Sequence, residues 1–203
     1  MECLVLHGWT DTAKNLRRVT LHHLPQGINF HFINAPYSNE WFEYSYSRKK
    51  TLLGSYDLEY KSLLQIQTSM QILEEHIHNY AKDGRDVIVV ATSQGATIAL
   101  HTVMNMKHLP NFKGVWLHNI AGIYDNLITP SSIRNFQVHF VTTNKTSNHA
   151  LDLTNQDVKN SLYSFVKRAH LRCRKPLLYF FDVQTDDVIP PPVKAYVRDY
   201  FRF

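Results

Sequence analysis

Apolar positions along the chain fall into two alternating rhythms. Short aliphatic or β-branched runs occur at Cys3 to Leu6, Asn29 to Ile33, Val87 to Val90, Gly114 to Asn119, Phe136 to Thr142 and Leu177 to Phe181. Bounded by glycine, proline, asparagine or aspartate, such runs read as strands. Between them the period lengthens. From Asp57, apolar residues recur at Leu63, Ile66, Met70, Leu73, Ile77 and Tyr80, spacings of three and four that predict one long helix closed by Asp83-Gly84. Helices are also predicted from near Thr10-Asp11-Thr12, whose side chains are good N-caps, from Ala96 to about Met106, over Asn155 to Leu171, and from about Pro192 onward. Strand and helix alternate throughout, so the expected fold class is α/β: a mostly parallel sheet with helices on both faces. No lid-sized insertion separates the Trp116 strand from the next, so no lid domain is expected.

At 203 residues, without a low-complexity linker, the chain is expected to form one domain over residues 1–203. Hydrophobic residues make up 44% of it, and no apolar run is long enough for a membrane span. Met1-Glu2-Cys3-Leu4-Val5-Leu6 has no basic region ahead of its apolar run, so it does not read as a secretory signal; an intracellular, cytoplasmic location is expected. Cys3 and Cys173 then read as reduced thiols, and Asn144-Lys145-Thr146 as a chance glycosylation pattern. The net charge of +5 is concentrated in Arg48-Lys49-Lys50 and in Arg168, Arg172, Arg174 and Lys175. These read as solvated faces, with no aromatic-interleaved platform for nucleic acid. Twelve histidines show no H-x-x-x-H or Cys/His spacing, so neither metal nor cofactor is expected.

The candidate chemistry centres on Ala91-Thr92-Ser93-Gln94-Gly95, directly after the Val87 strand and before a helix. A serine at such a strand-to-helix turn is lifted clear of the sheet. Small residues at 91 and 95 let the backbone fold tightly around it, and the Gln94 amide faces an oxyanion formed on attack. The remaining histidines read as packed, capping or solvent-facing groups; His118 and His139, on strands, read as packed.

Leu6-His7-Gly8-Trp9 after the first strand, Asn34-Ala35-Pro36 with Trp41-Phe42-Glu43-Tyr44 in the next loop, and the Ser93 turn together resemble the α/β-hydrolase superfamily. Within it, the chain is most similar to the small, lidless carboxylesterases, phospholipases and acyl-protein thioesterases. The resemblance implies a serine hydrolase acting on an ester or thioester of a small-molecule or acyl substrate. Ser93 maps to the nucleophile and the amides of Trp9 and Gln94 to the oxyanion hole; His7 maps to a residue that shapes its turn and is not the base. The stretch Trp41 to Tyr46 either lines an acyl pocket or packs over the sheet edge.

The chain departs from the family in three places. Alanine stands at position 91 where the elbow usually has glycine. The segment after Phe136 to Thr142 lacks the usual G-x-x-D, and no histidine follows Leu177 to Phe181. Two alignments remain open. Either Gln184-Thr185-Asp186-Asp187-Val188-Ile189-Pro190 is the acid loop, with Asp186 or Asp187 as the acid, or His149 occupies the former acid loop and Asp186 or Asp187 the former histidine loop, with roles exchanged. Two functions follow from this: an active hydrolase with a relocated base, or a hydrolase-fold protein that has lost its triad and works by binding.

Overall fold

In the computed structural model, residues 1–20, 27–44, 60–107, 109–124, 127, 137–143, 155–169 and 178–183 are described. The elements run β1 (Glu2–Leu6), α1 (Ala13–Thr20), β2 (Asn29–Ile33), α2 (Tyr60–Ala81), β3 (Val87–Thr92), α3 (Ser93–Asn105), β4 (Phe112–His118), β5 (Gln137–Thr143), α4 (Gln156–Ala169) and β6 (Leu178–Val183). They build one six-stranded sheet in the order β2-β1-β3-β4-β5-β6, with every adjacent pair parallel. The α/β class is therefore as expected, and the described sheet is wholly parallel.

The connections explain the layering. A right-handed crossover places its helix on a face set by the direction of the step. From β1 to β2 the chain steps one way; from β2 onward it steps the other. Leu16 of α1 accordingly joins Cys3, Val5, Ile88, Val90 and Trp116 on one face. The alternate positions Leu4, Leu6, Val89, Ala91, Val115 and Leu117 pack with α2 and α3 on the opposite face. All of β1 is buried, as a central strand covered on both faces should be. Because the connections leaving β1 and β3 diverge to opposite faces, the crevice at a topological switch point opens at the carboxyl ends of these two strands.

Local signals account for the helix starts. The Asn15 amide donates to Thr12 Oγ1 at 3.1 Å, so Thr12 caps α1. Asn155 Oδ1 accepts from the Asp157 amide at 2.8 Å and caps α4.

Two elements differ from expectation. Helix α3 starts at Ser93 itself, so Gly95 lies in its first turn. The buried face of α2 is rotated: Ser62, Gln65 and Ser69 are buried with Ile66, Leu73 and Ile77, while Leu63, Met70 and Tyr80 are only half-buried. Gln65 and Ser69 turn inward because they bond the loop that crosses the helix, described below. At the amino edge of the sheet, buried Glu2 accepts hydrogen bonds from Asn29 at 3.1 Å and Arg85 at 3.2 Å and meets His31 Nε2 at 2.5 Å. Burial works to raise its pKa, but the bonds from His31, Asn29 and Arg85, with the Arg85 charge, outweigh it and hold the carboxyl below its usual range.

Among the described residues no helix is long and apolar enough to cross a membrane. The helix expected from Pro192, Cys173, the aromatic loop beyond Tyr44, and most of the stretch between β4 and β5 on which the lid expectation rests lie outside the described residues.

Candidate active site at the β3–α3 turn

Strand β3 ends with Thr92 in extended backbone (φ −124°, ψ 145°), and the next residue, Ser93, has φ 53°. A left-handed conformation at a residue with a Cβ costs roughly 1–2 kcal/mol. The sharp reversal at the elbow demands it, because β3 must hand over to α3 without an intervening loop.

Two glycines let the neighbouring turn close on this point. A Cβ at Gly95 would lie 2.5 Å from the His7 carbonyl oxygen and 2.8 Å from Leu6 Cβ, so only glycine lets α3 approach the end of β1. A Cβ at Gly8 would lie 3.2 Å from Ser93 Cβ and 3.8 Å from its Oγ. The turn after β1 thus runs beside the Ser93 side chain, with no room for a Cβ between them. Trp9 follows Gly8 directly. Gln94 occupies the first turn of α3, where main-chain N–H groups have no intrahelical acceptor.

His7 is a scaffold residue. It is fully buried; its Nε2 accepts from the Ala35 amide at 3.0 Å, which leaves Nδ1 to donate to the Gly8 carbonyl at 2.7 Å. Burial pushes its pKa down, against the opposing influence of that carbonyl and of Asp11, so it is held neutral. With both nitrogens engaged it shapes the turn, as the family resemblance implies.

The loop after β2 is pinned from three directions. Trp41 Nε1 donates to the His7 carbonyl at 2.8 Å, the Trp41 amide donates to Gln94 Oε1 at 3.1 Å, and Ser69 Oγ donates to the Trp41 carbonyl at 2.7 Å. Gln94 Nε2 donates to the Phe42 carbonyl at 2.8 Å, and the Glu43 amide to Gln65 Oε1 at 2.8 Å. The Gln94 side chain therefore acts as a surrogate peptide group for the Trp41–Phe42 segment. Trp41 and Phe42 are wholly buried in the core, so for them packing is the observed role; Tyr46 lies outside the described residues.

On its other side the elbow is laced to the segment after β4. The Ala121 amide donates to the Ser93 carbonyl at 3.2 Å. Thr97 Oγ1 donates to the Gly122 carbonyl at 3.0 Å, the Tyr124 amide donates to His101 Nε2 at 3.1 Å, and Asn105 Nδ2 donates to the Leu127 carbonyl at 2.8 Å. Positions 93, 97, 101 and 105 are one turn apart, so a single stripe of α3 carries the ladder. Burial lowers the His101 pKa to about 4, which keeps Nε2 an acceptor. His118, also buried, places Nδ1 3.4 Å from Thr92 Oγ1. His101 and His118 are thus packed histidines; the His139 side chain lies outside the described residues.

Ser93, Trp9 and Gln94 are accordingly gathered at the carboxyl edge. His149, Asp186 and Asp187 lie outside the described residues. In the chain they follow β5 and β6, adjacent parallel strands whose last residues, Thr143 and Val183, are register partners. The clamp made by the Gln94 side chain and the inward-facing Gln65 and Ser69 were not anticipated. The only sequence signal was polar residues at helical spacing among the apolar ones of α2. Among the described residues no group of three or more His, Cys, Asp or Glu is arranged to hold a metal ion.

No protein-family model and no curated protein sequence matches the chain. Solved structures do. Esterase PE8 superimposes with a TM-score of 0.65 at 18% identity, covering 99% of this chain and 91% of that one. The Arabidopsis thaliana protein SOBER1 gives 0.67 at 14% identity, covering 98% and 97%. Zea mays acyl-protein thioesterase 2 gives 0.62 at 14% identity, covering 98% and 91%. The likeness is one of fold: the chain has the α/β-hydrolase fold in the arrangement seen in small esterases and thioesterases.

Proposed function

We propose that the protein is a serine hydrolase that cleaves a carboxylic ester or thioester of a small-molecule or acyl substrate through an acyl-enzyme on Ser93. One observation carries this reading above the rest: a serine held at φ 53° between β3 and α3, beside the turn after β1 at the switch point of the sheet. A strained backbone at a non-glycine residue persists only where the surrounding structure enforces it, and such positions cluster at functional sites. The esterase and thioesterase names of the structural neighbours support the same reading.

In this scheme Ser93 Oγ attacks the acyl carbonyl as its proton passes to a base. The tetrahedral oxyanion is met by the amides of Trp9 and Gln94, donors that need no reorganisation when charge develops. Collapse expels the alcohol or thiol, which takes the proton from the base, and water repeats the sequence to release the acid. The base is assigned to His149, oriented by Asp186 or Asp187, because it lies directly after the penultimate strand.

A fluorophosphonate probe is expected to label the protein and to leave the Ser93→Ala variant unlabelled. His149→Ala is expected to abolish cleavage of short acyl p-nitrophenyl esters while the protein stays folded; unchanged turnover in that variant rules out the relocated base.

A second reading has its own observation. Residues 184–203 contain no histidine, and His7 and His101 near the elbow are committed to structural hydrogen bonds. On that reading the protein is an inactive hydrolase-fold binding module. Absence of both labelling and turnover in the parent protein is the result that favours it.

A further inference from the structure

We infer that Tyr80 is a second nucleophilic centre, a modification site that takes an acyl group from an activated acyl donor such as a thioester, with His31 as its base and Glu2 positioning that base. The centre lies at the amino edge of the sheet, away from Ser93, and does not depend on the hydrolase reading.

Strand alternation and register bring the three groups together. Leu4 and Leu6 of β1 face α2 and α3, so Glu2 shares their face, and the pairings Glu2↔Asn29 and Leu4↔His31 put Asn29 and His31 there too. Helix α2 delivers Tyr80 from its last turn, and Arg85 follows on the segment leading into β3. The two oxygens of the buried Glu2 carboxylate have separate partners. Asn29 Nδ2 and Arg85 donate to Oε1 at 3.1 Å and 3.2 Å, while Oε2 meets His31 Nε2 at 2.5 Å. The carboxyl is held below its usual range, so it is an acceptor and Nε2 carries the hydrogen. Nδ1 of the neutral imidazole then accepts from the Tyr80 hydroxyl at 3.0 Å.

Hydroxyl, imidazole and carboxylate therefore follow one another in the order that activates a nucleophile: a base within hydrogen-bond reach, itself oriented by a third group. The His31 and Tyr80 rings stack with centroids 4.3 Å apart at 30°, and the Arg85 guanidinium, bonded to both Glu2 and Asp83, lies 5.0 Å from the Tyr80 centroid. The phenol is thus held against its base. The His31 side chain is 30% exposed and Tyr80 is half-buried, so the pair is open to a small acyl donor from solvent. On attack, Tyr80 Oη forms a bond to the acyl carbon and its proton passes to His31 Nδ1. The bond to the leaving group breaks, the leaving group departs with the electron pair and takes that proton, and an aryl ester remains on Tyr80. Glu2 meets the imidazolium formed in between.

The probe is N-acetylimidazole at limiting concentration, applied to the Ser93→Ala variant so that the elbow serine does not consume it. Acetylation of each tyrosine is followed by peptide mass spectrometry. Tyr60, 76% exposed, is the internal reference. Exposure alone makes Tyr60 the faster of the two, whereas the relay puts Tyr80 ahead by roughly tenfold or more. In the same background, His31→Gln keeps an amide oxygen for the hydroxyl and His31→Phe keeps a stacked ring, but neither side chain takes a proton. Both are expected to bring Tyr80 below Tyr60 while leaving the Tyr60 rate unchanged. Acetylation of Tyr80 no faster than that of Tyr60 in Ser93→Ala overturns the centre, and so does an unchanged ratio of the two rates in the His31 variants. The first comparison leaves His31 in place, so it decides the matter even where those variants fold poorly.

Discussion

Gly95 lies so close to His7 that a Cβ at position 95 would stand 2.5 Å from the His7 carbonyl oxygen. That same oxygen accepts the Trp41 indole N–H, so it cannot move aside without breaking a buried hydrogen bond. Gly95→Ala is therefore expected to destabilise the protein by about 3 kcal/mol or more, through overpacking against backbone and disruption of the Trp41 contact. Gly8→Ala has a milder clash, 3.2 Å from Ser93 Cβ. It is expected to leave a folded protein that reacts more slowly with a fluorophosphonate. Comparing urea midpoints with labelling rates separates the two.

The left-handed conformation of Ser93 carries a stability consequence opposite in sign to its chemical one. Ser93→Gly removes the Cβ that makes φ 53° unfavourable, so it is expected to raise stability by about 1 kcal/mol while abolishing labelling. Ser93→Ala retains the Cβ and is expected to be less stable than Ser93→Gly. Equal melting temperatures for the two variants contradict a strained elbow.

Gln94 is wholly buried, and both ends of its amide are bonded to the Trp41–Phe42 segment. Gln94→Leu keeps the approximate volume and strands the Trp41 amide and the Phe42 carbonyl. A loss on the order of 2–4 kcal/mol is expected, read as a lower urea midpoint. A midpoint within experimental error of the parent's removes the clamp from the account.

Acid sensitivity follows from two buried histidines. Burial depresses the folded pKa of His101 to about 4 and lowers that of His7 as well. In the unfolded chain both titrate near pH 6.5, so below that pH the unfolded state binds more protons than the folded one. Stability is thus full above about pH 6.5 and falls as the pH drops toward 4, by up to about 1.4 kcal/mol per unit for each such histidine. Glu2, whose folded pKa is depressed below 4.5, adds its own loss only at lower pH. His101→Gln, in which an amide oxygen replaces Nε2 as acceptor for Tyr124, is expected to flatten the profile between pH 6.5 and 4. An unchanged slope removes His101 as its source.

Much of the fold was legible because the features that specify it are local. β1 and β3 begin within a residue of expectation, because a buried parallel strand must be a near-continuous apolar run bounded by turn residues. β2, an edge strand buried only at Ile33, falls at the expected residues because Asn34-Ala35-Pro36 closes it. Thr12 and Asn155 announce helix starts, since a cap acts on amides two or three residues away. The elbow is legible for the same reason: strand, small residue, serine and glycine are contiguous, and Ser93 is where that pattern puts it.

What only the tertiary structure decided is the pairing of polar groups distant in sequence. A glutamine after a serine does not reveal that its side chain will hold a peptide 53 residues earlier in the chain. Glu40, in a polar loop, does not announce that it will accept the Trp9 indole from another turn. The inward turn of Gln65 and Ser69 on α2 has the same origin. Hydrophobic period assigns polar residues outward, and the assignment is reversed only where a crossing loop supplies backbone groups that would otherwise be buried without partners. Apolar burial is non-directional and written into each segment's own period, whereas a hydrogen bond needs a specific partner at a specific place, and the packed fold alone determines which segments meet.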